Sequence, residues 1–187
     1  MNNSKLRTFL AIDIDKKLIQ KIEDLQKEFE KTNANIKYVE IENIHFTLKF
    51  FGNINEEMVD KISISTENVL KKYEPIDITI EGTGSFPSED FIKVIWLGIT
   101  ENQVVMDLAK KLDEEFKKIG FKKEKNYSPH LTIGRMRSPK NKKEVKEKIA
   151  TFKDIKIGKM SIDKISLKKS ELTPKGPIYS DLKTFSI

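Results

Sequence analysis

The chain has 187 residues, 34% of them charged, with a net charge of +6 and no cysteine. Disulfides, thiolate metal sites and a cysteine nucleophile are therefore excluded, and two histidines make a structural zinc site a poor expectation. The length suits one domain, or two small lobes sharing a core, with roughly two-thirds of the unfolded surface buried; the mild positive excess fits an anionic partner such as RNA, although basic proteins without one are common.

Lysine heavily outnumbers arginine, a bias that an AT-rich genome and a warm habitat both produce. The opening MNNSKLRTFLAIDID lacks the apolar core of a signal peptide. No apolar run approaches the ~20 residues that cross a bilayer, so the expectation is a soluble cytoplasmic protein.

Residues 6–14, LRTFLAIDI, read as a buried strand. Asp15 is placed to cap a helix, and Leu18, Ile22, Leu25 and Phe29 follow as one apolar stripe. After a break at Thr32–Asn35, Ile36–Val39 is a short strand and 44–51 a longer one, ended by Gly52. Asn55 caps a second helix with Met58, Ile62 and Val69 near one face, and Pro75 closes it. Residues 76–81 alternate as a strand, GTGSFPSED reads as a loop, and 91–99 as a buried strand holding Trp96 in the core. A third helix spans 101–119, with Val105, Leu108, Leu112 and Phe116 inward and Gly120 at its end. KKEKNYSP is a polar loop; Pro129 leads into a strand at 130–136, and a short basic helix follows near 141–150. Two strands joined near Gly158 and one last strand complete the chain. Strands alternating with three or four helices, some joined directly to one another, favour α/β or α+β.

The chemistry gathers on two short runs, HFTLKFFG from His45 and HLTIGR from His130. On a strand, positions i and i+2 share a face with Cα atoms roughly 6.5–7 Å apart. His45 therefore points with Thr47, and His130 with Thr132. A lone histidine at a strand end is more often a surface or satisfied core residue, and threonine is common in strands. Yet these are the only two histidines, and about one residue in seventeen is threonine, so both gaining a threonine at +2 by chance is roughly a 0.3% event. The two strands start 85 residues apart, close to half the chain, which suggests a duplicated two-lobe fold presenting them across one groove. Two imidazoles and two hydroxyls suit a phosphodiester: one ring takes a proton, the other gives one, and the hydroxyls donate to non-bridging oxygens.

HFTLKFFG and PHLTIGR resemble the paired His-x-Thr motifs of the two-histidine phosphoesterase superfamily, and most closely its RNA 2′,3′-cyclic phosphodiesterase branch, also called the 2′-5′ RNA ligase family. RTFLAIDID, GTGSFP with KVIWLGI, and LKKSELTPKGPIY resemble that family's opening, central and closing segments, so the likeness spans nearly the whole chain. It implies an α+β fold, bilobal, with pseudo-twofold duplicated antiparallel sheets flanked by helices around a central groove. Residues 1–187 would form a single domain of two interleaved lobes. It also implies hydrolysis of 2′,3′-cyclic phosphate ends of RNA, or of a cyclic nucleotide, to 2′-phosphomonoesters, without metal or other cofactor. Some members join RNA ends through a 2′-5′ linkage. Carried over, His45 and His130 are the catalytic acid–base pair and Thr47 and Thr132 the phosphate ligands. The working assignment makes His45 the base and His130 the acid, which the sequence does not distinguish from the reverse. A monomer that engages no membrane is expected.

Arg135 matches a family arginine suited to steady a phosphate, but strict alternation turns it away from His130 unless a bulge near Gly134 intervenes. Lys49 shares the His45 face by parity, either attracting RNA or sitting at a wet rim. Phe86, Tyr127 and Tyr179 either stack on a base or serve packing. Lys93 stands where the family often has arginine, which puts a phosphate role there in doubt. The run 122–126 and the stretch Arg135–Lys148 are solvated faces by default and an electrostatic rim at most. Two rival functions remain: an RNA-end-binding module without catalysis, for which a second histidine is superfluous, and a phosphodiesterase for another cyclic phosphate such as ADP-ribose 1″,2″-cyclic phosphate.

Overall fold

The computed structural model describes residues 5–100, 103–124, 126–174 and 176–187. In chain order it runs β1 (Leu6–Asp13), α1 (Lys16–Glu30), β2 (Ile36–Tyr38), a 3-10 turn (Ile41–Asn43), β3 (His45–Ile54), α2 (Glu56–Leu70), β4 (Ile76–Ser88), β5 (Phe91–Thr100), α3 (Gln103–Lys118), β6 (Leu131–Met136), α4 (Lys142–Thr151), β7 (Lys156–Ile162), β8 (Lys164–Thr173) and β9 (Gly176–Ser186). Both expected caps form: Asp15 accepts from the Lys17 amide, and Asn55 from that of Met58. The apolar stripes of α1 and α3 are buried as their spacing predicts. Among the described residues no helix is long and apolar enough to cross a membrane.

The fold is α+β. One curled antiparallel sheet runs β7-β4-β5-β6-β3-β1-β8-β9, with β2 added beside β6. The order is a palindrome about the β3–β6 contact: β1 and β5 flank it, then β8 and β4, then β9 and β7. The two expected half-sheets are thus fused along one seam, where a single residue pair, Phe46 with Leu131, is in register. Helix α1 follows β1 but packs on β6 and β7; α3 follows β5 but packs on β3. Phe46, Leu48, Leu131 and Ile133 sink into the common core under the helices, leaving the other face of the sheet as the wall of a groove.

Four expectations are corrected. GTGSFPS is not a loop: β4 continues to Ser88, paired with β5 throughout. Its glycines serve the face of the sheet, since a Cβ on Gly84 would sit 2.2 Å from the Trp96 ring. Trp96 is accordingly not core; it lies half-buried over Gly84, stacked on Phe86 with centroids 5.3 Å apart. Strand β3 runs on through Gly52, whose φ of +74° absorbs an irregularity opposite Thr8. Strands β7 and β8 meet at Asp163 rather than Gly158, which lies within β7 with Leu18 packed so closely that a Cβ would meet it at 2.6 Å. Residues 101 and 102, the expected start of α3, lie outside the described residues.

Lys49 supplies the correction with the largest energetic consequence. The β1–β3 register steps from Leu10–Lys49 to Ala11–Thr47, so Leu48 is an extra residue. This bulge breaks the parity that joined Lys49 to His45. Lys49 turns inward, its side chain only 4% exposed, and donates to Asp113 Oδ1 on α3 at 2.6 Å, the Lys122 carbonyl at 2.6 Å and Glu124 Oε1 at 3.2 Å. All three ammonium protons are used. Asp113 Oδ2 in turn accepts from the Glu124 amide at 2.8 Å, so the pair pins the loop that leads toward His130. Removing one partner of a buried pair leaves the other charge without compensation, at roughly 3–5 kcal/mol. Because Glu124 and the Lys122 carbonyl remain on the ammonium, Asp113→Ala is expected to lower unfolding free energy by less than that, about 1.5–3 kcal/mol, read from a urea titration; an unchanged midpoint would refute the role given to the pair.

Candidate active site

The two histidine strands come together because β3 and β6 touch only at their starts. Counting one residue either way from Phe46–Leu131 along antiparallel strands sets His45 abreast of Thr132 and Thr47 abreast of His130. The histidines then lie on a diagonal, with Cα atoms about 7–8 Å apart. All four side chains line a single groove of about 350 Å³.

Each imidazole is held in the same way. His45 Nδ1 donates to the Asn43 carbonyl at 2.7 Å, and His130 Nδ1 donates to the Ser128 carbonyl at 2.8 Å. In both cases the acceptor lies two residues upstream, so the tautomer assigned from these bonds carries its proton on Nδ1 and leaves Nε2 as an acceptor. Nε2 of neutral His45 accepts from Thr47 Oγ1 at 3.0 Å. Aromatic rings fix the imidazole planes. Phe9 and Tyr179 pack on His45 with centroids 4.8 and 5.4 Å away, and Phe86 meets the His130 ring edge-on at 4.9 Å. Burial lowers the His45 pKa from its ordinary 6.5, reinforced by Lys168 and by His130 itself; the Asn43 carbonyl and Asp13 act in the other direction.

Arg135 lies in the groove despite its parity. The β5–β6 register steps from Ile95–Gly134 to Trp96–Thr132, making Ile133 an extra residue. The bulge is braced from below: Gln26 of α1 and the Val39 amide both donate to the Ile133 carbonyl, at 2.9 and 3.1 Å. The bulges at Leu48 and Ile133 occupy equivalent places in the two motifs. Each turns the fifth residue after its histidine back to the groove, Phe50 in one strand and Arg135 in the other.

The other candidates divide. Tyr179 lines the groove. Tyr127 does not; it borders a separate cleft beside α3 with Leu48 and Asp113. Lys93 is outside the groove lining, its ammonium 5.0 Å from the Phe91 ring. None of the described lysines of the two basic stretches lines the groove; Lys123 pairs with Glu114, Lys146 with Asp90 and Lys148 with Glu28, while Lys125 lies outside the described residues. The cations that do line the groove are Arg7, Lys37, Arg135 and Arg137. Arg7, Lys37 and Phe50 were not legible as site residues, and Asn43 was missed because its role falls to its carbonyl. The scarcity of arginine was the one available signal, since only three occur in the chain.

Comparison with known proteins agrees with this architecture. The family model described as the 2′-5′ RNA ligase superfamily matches residues 13–173. A protein of Methanothermobacter thermautotrophicus named RNA 2′,3′-cyclic phosphodiesterase is 42% identical over 98% of this chain and 100% of its own length. A protein of the same name from Methanocaldococcus jannaschii is 42% identical over 95% of this chain and 99% of its own. Among solved structures, TT0787 of Thermus thermophilus superposes with a TM-score of 0.82 at 23% identity over 97% of both chains, and apo LigT of E. coli with 0.77 at 19% over 98% of both; these establish the likeness of fold. With its palindromic sheet, its pair of His-x-Thr strands and a family match across most of its length, this chain belongs to the 2′-5′ RNA ligase superfamily.

Proposed function

We propose that the protein is an RNA 2′,3′-cyclic phosphodiesterase that opens cyclic phosphate ends to 2′-phosphomonoesters. The observation that carries this reading is the matched anchoring of two imidazoles by the carbonyls two residues upstream, in one groove with two threonine hydroxyls and an arginine. The name shared by relatives at 42% identity supports it.

A cyclic phosphate seated between the motifs would receive Thr47 and Thr132 hydroxyls and the Arg135 guanidinium on its non-bridging oxygens, where charge grows in the transition state. His45 Nε2 takes a proton from water as the water oxygen bonds to phosphorus. His130 gives its Nε2 proton to O3′ as the P–O3′ bond breaks. The diagonal between the rings suits attack and departure on opposite sides of the phosphorus. Burial favours the neutral form of His45, which supports its assignment as base. With the 5′-hydroxyl of a second RNA in place of the water, the same proton transfers yield a 2′-5′ linkage. The donor set needs no metal or organic cofactor for these steps. The interleaving of α1 and α3 between halves supports one catalytic domain over residues 1–187. The reading also carries cytoplasmic action as a monomer, consistent with a groove built from one chain, and no membrane partner.

His45→Ala or His130→Ala is expected to lower kcat by ~10²–10⁴ with an unaltered melting curve, assayed on cyclic-phosphate-ended RNA in EDTA. Near-normal turnover in either variant would end the assignment. The product should be the 2′-phosphate; a 3′-phosphate would reverse the leaving group. Loss of activity in EDTA would overturn the cofactor-free route. Intact binding with no hydrolysis would favour the binding-module alternative, and preference for ADP-ribose 1″,2″-cyclic phosphate would favour the other substrate. Because the lowered His45 pKa keeps the base neutral as pH falls, the acid limb of the kcat/KM profile should lie below pH 6.5. An acid limb above 6.5 that His45→Ala abolishes would contradict burial as the controlling effect.

A further inference from the structure

Of 35 basic side chains only three are arginine, and all three, Arg7, Arg135 and Arg137, line the one groove. A guanidinium offers phosphate a planar donor fork that an ammonium lacks. Lys37 joins them, and the β2–β6 register sets it directly opposite Arg135. Like charges abreast weaken a sheet. Elsewhere the chain sets many of its lysines against carboxylates. Among the described residues, none of these four groove cations lies within 4.0 Å of a carboxylate, and none donates a side-chain hydrogen bond within the protein. Positive charge kept without a counter-ion, at a cost to the sheet, is charge available to a ligand.

The four cations exceed what one phosphate uses. Arg135 stands beside the His-Thr square, and Arg7 stacks on Phe50 with its guanidinium 4.6 Å from the ring centroid. Arg137 lies two residues beyond Arg135, ~6.8 Å further along the strand direction, its amide still bonded to the Asn35 carbonyl at 2.8 Å. Lys37 reaches toward the β8–β9 hairpin, where a Cβ on Gly176 would stand 4.0 Å from its Nζ. This end of the groove is therefore a cationic channel between β2 and the hairpin, leading away from the histidines.

We propose that Lys37 and Arg137 form a second phosphate subsite, which takes the backbone phosphate 5′ to the reacting one and makes a cyclic-phosphate-ended oligoribonucleotide the preferred substrate over a cyclic mononucleotide. The inference rests on the phosphodiesterase reading above. A cyclic-phosphate end extends in one direction only, so a single channel serves it.

The test compares a cyclic-phosphate-ended octaribonucleotide with a 2′,3′-cyclic mononucleotide across a salt series. The wild type should favour the octamer by at least ~10-fold in kcat/KM, with a log–log salt slope steeper by ~0.7 for each added phosphate contact. Lys37→Gln with Arg137→Gln should lose most of that preference and of the extra slope, whereas Lys143→Gln on the exposed side of α4 should keep both. An equal preference and slope in wild type and double variant overturns the proposal. Binding of a 2′-phosphate-ended octamer against a nucleoside 2′-phosphate measures the same discrimination without turnover. Failure to hydrolyse either substrate would defeat the phosphodiesterase reading, while the binding arm still decides the subsite.

Discussion

The site depends on one narrow contact, the antiparallel meeting of β3 and β6 at Phe46 and Leu131. Each of these residues directly follows a histidine. Both point into the core, so the histidines before them and the threonines after them must point to the groove. A slip of one residue at this seam would turn one motif into the core while the other still faced the groove, separating the two histidines. The buried pair therefore sets the register of the chemistry, and the interleaved helices α1 and α3 hold it from behind.

Around that seam the structure repeats its devices. Each histidine donates Nδ1 to a carbonyl two residues upstream, and each strand carries a bulge directly after its threonine. The symmetry stops at the side chains, where Phe50 faces the groove from one strand and Arg135 from the other. An apolar ring and a cation at equivalent places make the groove directional. Burial lowers the pKa of His45, and its ring packs on Phe9 and Tyr179 whereas that of His130 meets Phe86, so the twin motifs have different surroundings.

The bulges also account for where alternation misleads. Counting from His45 assigns Lys49 to the groove, and counting from His130 assigns Arg135 away from it. One inserted residue inverts each result, sending Lys49 to Asp113 and returning Arg135 to the groove. Nothing in HFTLKFFG or HLTIGR marks the bulge, because it is stabilised from outside: the Ile133 carbonyl is satisfied by Gln26 and Val39, distant in the chain. Trp96 misled for a related reason, since its strand reads as buried while its ring lies on the groove face over Gly84.

The sequence by itself determined the order of helices and most strands, the caps, the two His-x-Thr pairs and the family they resemble, because those depend on local periodicity, on hydrogen bonds a few residues long and on motif spacing. Tertiary structure alone decided which residues the pairs face. The seam that sets the histidines diagonally, the bulges that exchange Lys49 for Phe50 and recover Arg135, and the gathering of all three arginines on one groove are products of strand pairing between distant segments. Such pairing is fixed by the burial of a shared core, a sum over both halves of the chain that no short stretch contains.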